Sequence, residues 1–232
     1  MKESAQGGFP SHVPYLVHRT SGNITIDGHL NEEAWEKAAV LNFFVYKTHE
    51  QPLGRTEAKI LWDHEFLYVG FDALDKDIWS YMTQRDSQTC LEDCLEIFFK
   101  TDPAQAPFYN FEINALGTVF DAFSPGKAIA GGYHRWSKWN CEEMLVAVNV
   151  RGTLNDHTDI DEGWGMEVAI PYRSLPSLGG KSPTPGGSWR FHLARYDYSV
   201  HLPGDGLEIS STALITGAFH DAEEWQSLIF TE

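Results

Sequence analysis

The chain has 232 residues, 42% of them hydrophobic and 22% charged, which are ordinary globular values for a length that one β-rich domain can fill. Its 33 acids against 17 Lys and Arg leave a formal charge of −16, which repels phosphate backbones and anionic headgroups and argues against nucleic acid and membrane surfaces as partners. The same acidic excess suits a hard cation such as Ca²⁺, the only cofactor the composition points to.

In chain order, residues 1–22 are predicted as a flexible arm ending in an edge segment at residues 13–17, ahead of one domain over residues 23–232. They carry Gly7-Gly8 in place of an apolar leader core, and no run approaches 18 consecutive apolar residues. Ile24-Thr25-Ile26-Asp27-Gly28 reads as a short strand and turn. A single short helix follows, with Asn31 as N-cap, Glu32 and Glu33 against the dipole, and Leu30 and Trp35 as a hydrophobic staple. From Thr56 the period changes to two. Residues 57–62 and 66–73 form a predicted hairpin across Asp63-His64-Glu65, and residues 72–85 make a polar connection holding Trp79 and Tyr81.

Further strands are predicted at residues 94–99, 109–114, 119–123, 145–150, 163–170, 189–197 and 227–230. The loop over residues 124–140 carries Tyr133, Trp136 and Trp139, and its length points to function. Residues 175–187 are rich in Pro, Ser and Gly and read as a surface excursion. Cys90, Cys94 and Cys141 match neither a disulfide framework nor a zinc spacing. Together the elements define an all-β chain, a two-sheet, mainly antiparallel β-sandwich with one short N-terminal helix.

Chemistry concentrates on two of these strands. Alternation places Cys94, Glu96 and Phe98 on one face against Leu95, Ile97 and Phe99, and Asn110, Glu112 and Asn114 against Phe111 and Ile113. Such a patch of carboxylates and carboxamides suits a polyhydroxylated ligand, or else forms a solvated outer face. Arg195 shares the apolar face of its strand with Phe191 and Leu193, so it needs a buried partner, for which Glu112 and Glu96 are candidates. Trp79 with Tyr81, or Trp136 with Trp139, could supply a stacking platform for a sugar ring. Arg85-Asp86 reads as a loop tether held by an ion pair. A competing enzyme reading makes Glu96 and Glu112 a glycosidase acid/base pair. No G-x-S-x-G elbow or phosphate loop supports another hydrolase or a kinase.

The motifs also fall into a recognisable order. Ile26-Asp27-Gly28-His29-Leu30-Asn31-Glu32-Glu33-Ala34-Trp35 is followed by Lys59-Ile60-Leu61-Trp62-Asp63, Glu92-Asp93-Cys94-Leu95-Glu96-Ile97-Phe98, Tyr109-Asn110-Phe111-Glu112-Ile113-Asn114, Gly163-Trp164-Gly165-Met166-Glu167-Val168-Ala169-Ile170-Pro171 and Trp189-Arg190-Phe191. Over about residues 24–230 this succession resembles carbohydrate-binding module family nine and its single-domain relatives. The resemblance implies a sandwich that binds the ends of glucan- or xylan-type oligosaccharides or polysaccharides without cleaving them, in a secreted or periplasmic setting. It also implies a clamp of two Trp rings, from which this chain departs. Cys90 stands where one ring is expected and Ser210-Ser211-Thr212 near the other, while Glu112 occupies the place of an Arg. Ligand contacts are therefore expected from Glu96, Glu112, Asn114, Arg195, Trp79, Arg85, Trp136 and Trp139. The same sandwich class resembles haem-binding sugar-oxidase cytochrome domains, for which Met166 would be the matching ligand strand.

Overall fold

The computed structural model describes residues 13–125 and 138–232, and Trp136 and Tyr133 lie outside them. Its strands are β1 (Tyr15–Arg19), β2 (Leu41–Asn42), β3 (Phe44–Val45), β4 (Thr56–Trp62), β5 (Phe66–Leu74), β6 (Cys94–Lys100), β7 (Phe108–Asn114), β8 (Val119–Ser124), β9 (Leu145–Arg151), β10 (Gly163–Pro171), β11 (Ser188–Tyr198), β12 (Leu207–Ser211) and β13 (Gln226–Thr231). One α-helical turn, α1 (Glu33–Glu36), and three short 3-10 turns at Thr89–Leu91, Tyr172–Ser174 and Pro176–Leu178 accompany them. The fold is all-β, as the period-two runs require.

Hydrogen bonds link the strands in the order β8-β7-β6-β11-β13-β1-β4-β5-β10-β9, with β12 beside β11, β3 beside β12 and β2 beside β4. The ladder is thus one continuous sheet of the described strands, where two separate sheets are expected from the sequence. The joint is β1, which pairs in parallel with both β13 and β4. Residues 15–19, expected within a flexible arm and at an edge, are therefore central. Tyr15 and Val17 are buried and Leu16 is exposed, so the segment alternates like any internal strand, but it is too short for its period to stand out in the sequence. Tyr15 also ties the joint down, donating its hydroxyl to Ala39 O at 2.6 Å and accepting from Ile60 N.

Core residues come from both halves of the sheet. Leu95, Ile97, Phe99, Phe111 and Ile113 share one cluster with Ile60, Val69, Phe71, Met166, Val168 and Ile170, so the sheet curls over a common apolar interior. The hairpin of β4 and β5 pairs as predicted, and Asp63 caps its turn by accepting from Glu65 N and Phe66 N at 2.7 Å.

Two local expectations are corrected. Residues 24–26 form no ladder; Ile24 and Ile26 instead pack against the cluster of Trp35, Leu61, Tyr68 and Ala169. Asn31 does not cap α1, whose N-cap is Glu32 without a side-chain cap bond. The Glu32 carboxylate accepts from Thr25 N instead. Trp35 is buried as predicted and donates its indole N–H to Glu167, which also accepts from Asp27 N and Gly28 N. One carboxylate thereby pins the segment before the helix onto β10.

Candidate functional site

Alternation does place Glu96 opposite Glu112 across β6 and β7, with Asn110 opposite Phe98. Their face is not solvated. Glu96 and Glu112 are 2% and 5% exposed, because the segment after β12 brings Ala213, Ile215, Phe219 and Trp225 against Phe98, Phe108 and Ala194 on that face. Burial, and then the charge of Glu112, hold the Glu96 carboxyl well above the usual carboxylate range. Burial raises Glu112 as well, against hydrogen bonds from Asn110 and Cys90. Two carboxyls so placed cannot both ionise at little cost, so the pair retains a proton. His192 is stacked on Phe98 at 4.5 Å, and burial followed by the nearby His220 pushes it down to about 3, leaving it neutral.

Arg195 lies on the other face and pairs with neither glutamate. Its guanidinium bonds Asp75 Oδ2 at 2.8 Å, sits 2.9 Å from Asp197, and donates to Leu74 O, Thr56 Oγ1 and Gly54 O. Burial opposes its charge, yet Asp197, Asp75 and Asp93 outweigh that and raise its pKa. Burial pushes Asp197 up to about 7 despite Arg195.

Asp75, Asp93 and Asp197 bring one oxygen each within 4.8 Å of one another, the one such acid group among the described residues. Calcium, which takes six to eight oxygens, does not fit them. Both Asp93 oxygens accept backbone N–H, from Tyr198 and Trp79. Asp75 is engaged by Asp77 N and Arg195, so the guanidinium already stands where a cation would be drawn.

The bonds of Asp93 have a second effect. By holding Trp79 N and Tyr198 N with one carboxylate, Asp93 fixes an indole and a phenol beside one groove at the end of β6 and β11. This groove, about 440 Å³, is walled by Asp77, Trp79, His157, Tyr198, Val200 and Leu202. Its far side is the β11–β12 loop, folded by Ser199 N donating to Gly206 O and Leu202 N to Ser199 O. Gly206 has φ +76°, and a Cβ there would stand 3.0 Å from Ser199 O, so the loop needs glycine. Trp79 meets Tyr81 edge to face at 5.1 Å, and Tyr81 is 58% exposed. Glu92 supports this wall from behind by accepting from Tyr81 N and Met82 N.

The groove touches the acid pair indirectly. Tyr198 donates its hydroxyl to Cys90 O at 3.0 Å, and burial followed by the charge of Glu112 raises the pKa of the Cys90 thiol. A second groove of about 340 Å³ adjoins the first through Ser199 and Leu202, and Leu53, Leu74, Asp75, Ile160 and Glu162 are among its walls.

The remaining sequence candidates have structural duties. Arg85 pairs with the buried Asp121 at 2.7 Å, the expected tether. Asn114 organises its turn, donating to Met82 O and Glu92 and accepting from Leu116 N and Thr118 N. Trp139 packs on Tyr109, Phe111 and Phe123 and so belongs to the core margin. Ser210, Ser211 and Thr212 are buried, and Phe44 is paired opposite Ser211. Met166 lies in the main core and His192 beside Phe98 in the second cluster, so these two do not form a haem pair. Sequence reading found Trp79 but missed Asp77, Asp93 and Tyr198, for which the sequence offers only the place of Asp77 two residues before Trp79 and of Asp93 at the head of the acidic strand.

A curled all-β domain with an aromatic and carboxylate-lined groove defines the class, that of β-rich ligand-binding modules. The family follows from a direct match: residues 26–232 match the carbohydrate family 9 binding domain-like family, and the chain belongs to it. A candidate carbohydrate-binding protein from Bacteroides uniformis ATCC 8492 shares the fold with a TM-score of 0.68 at 12% identity, over 93% of this chain and 97% of that one. A carbohydrate binding module family 9 from Caldicellulosiruptor kristjanssonii, solved with cellotriose, gives a TM-score of 0.62 at 14% identity over 93% of each chain. Its glucose complex gives 0.60 at 14% identity, over 93% of this chain and 95% of that one. No curated protein matches the chain.

Proposed function

We propose that this chain is a non-catalytic saccharide-binding domain, a curled two-layer sandwich whose ligand lies in the groove between Trp79 and the β11–β12 loop. The observation that carries this reading is the pairing of Trp79 and Tyr198 with Asp77 in one open groove of about 440 Å³. A pyranose offers an apolar CH face to a ring and hydroxyls to a carboxylate, and the groove presents both kinds of partner. The family supports a sugar as the ligand, and the Caldicellulosiruptor neighbours bound to cellotriose and glucose suggest the first probes. Trp79 and Tyr198 then take the place of the two-Trp clamp that Cys90 and Ser210-Ser211-Thr212 leave out.

Of the other residues singled out in the sequence, Glu96 and Glu112 are a buried pair outside the groove and make no contact with its ligand. Their burial argues against acid/base catalysis, which needs both carboxyls at a substrate. Isothermal titration with oligosaccharides of three to six units tests the proposal. Binding is expected to weaken at least about tenfold in Trp79→Ala, the loss of one stacked ring, with no reducing ends released on long incubation. Unchanged affinity in Trp79→Ala would move the site elsewhere.

A further inference from the structure

We infer that the groove selects saccharides bearing free amines, oligomers of an unacetylated 2-amino sugar, over neutral and uronic-acid saccharides. This rests on the saccharide reading above and assigns its chemical class. Among the described residues the groove walls include Asp77 and Asp205 and the single histidine His157, with no Lys or Arg. The adjoining groove adds Asp161 and Glu162 against Lys76 and His201, besides the Asp75 and Asp197 that Arg195 pairs. Arg195 is taken up by Asp75 and Asp197, so it leaves Asp77, Asp205, Asp161 and Glu162 without its charge.

Asp77 carries the point beyond the sign of the field. It is 2% exposed and lines the groove, yet only its Oδ2 is bonded, by Val200 N at 3.0 Å. Its Oδ1 is buried without a hydrogen-bond partner. A carboxylate oxygen withdrawn from water and left without a donor costs free energy that an incoming donor recovers. A sugar hydroxyl recovers part of it with one O–H. A protonated amine brings three N–H groups and an opposite charge, making the bond charge-assisted. It also gains attraction from the faces of Trp79 and Tyr198. A uronate carboxylate would instead set a like charge against Asp77 and Asp205 in a chain of net charge −16.

The test is isothermal titration of the whole chain at neutral pH and about 0.15 M salt, where diffuse attraction to the acidic surface is screened. Three probes are compared: a glucosamine hexamer, cellohexaose and a galacturonic acid hexamer. The glucosamine hexamer is expected to bind about tenfold or more tighter than cellohexaose, and the galacturonate not to bind. Asp77→Asn should bring the amino and neutral oligomers within about twofold of each other, whereas Glu33→Gln, an acid outside the groove, keeps the preference. Should Asp77→Asn fail to fold, Asp205→Asn, an exposed acid on the same wall, is expected to lower the preference about threefold. Equal affinities for glucosamine and glucose hexamers, or a preference that survives these groove variants, overturn the inference and leave the saccharide reading standing. Binding of none of the three overturns both.

Discussion

Asp93 belongs by sequence to the acidic strand, but its oxygens serve the loop before that strand and the end of β11, holding Trp79 N and Tyr198 N together. Asp93→Asn keeps the shape and turns one acceptor into a donor facing an N–H. Affinity for any groove ligand is expected to drop about tenfold, with near-ultraviolet circular dichroism of the Trp79 region altered, because a buried donor left facing a donor forfeits a hydrogen bond and more. Unaltered binding would show that the ring positions do not depend on this carboxylate. Glu96 behaves differently. As it reaches no groove, Glu96→Gln is expected to leave affinity within about twofold. It should raise the melting temperature at pH 8, where the native pair otherwise holds a proton against solution, and do little at pH 5. Thermal scans of both proteins at the two pH values decide it.

At the scale of elements, β11 is the strand on which the site is built. Its first half pairs with β13 and its second with β12, while β6 runs along its other edge. Arg195 in its second half locks it to the β4 and β5 ends through Thr56, Leu74 and Asp75. Replacing Arg195 by Met leaves Asp75 and Asp197 buried without their counter-charge. The expected loss is about 3–5 kcal/mol in urea denaturation, since removing one member of a buried ion pair costs far more than the pair's net worth. The face of β11 was legible from alternation, as was the need for a partner, but the partner's identity was not. Asp75 is 120 positions away, and nothing in local pattern distinguishes it from Glu96 on the adjacent β6 or Glu112 on β7 beyond it.

For the whole molecule, stability is predicted to fall as pH rises from acidic to neutral values. Asp197 has its folded pKa pushed from 3.8 up to about 7, and burial raises Asp93, Glu96 and Glu112 in the same direction. Such an acid keeps its proton in the native state while the unfolded chain ionises. Its contribution is whole below the unfolded value near 3.8 and is lost as pH rises through the folded value. The melting temperature is therefore expected to be a few °C higher at pH 5 than at pH 8, and a rise toward pH 8 would contradict the protonated state of these groups. Calcium or a chelator should leave it unchanged at either pH, because the guanidinium of Arg195 already neutralises the acid group. The joint of the sheet gives a further prediction. Deleting residues through Arg19 removes the strand that links β13 to β4 and is expected to abolish cooperative unfolding followed by circular dichroism.

The amino-acid sequence by itself determined the all-β character, the β4–β5 hairpin, most strand positions and the two faces of β6, β7 and β11, because period-two alternation is a local property of a pleated chain. It also carried the family, through an ordered set of short motifs. Only the tertiary structure decided that the Glu96 face is sealed, that Arg195 meets Asp75 and Asp197, and that Asp77, Trp79 and Tyr198 converge on one groove. Burial and ion pairing depend on which distant segment folds over a face, and here those segments are residues 207–225 and the loop around Asp75, whose own composition does not say where they will lie.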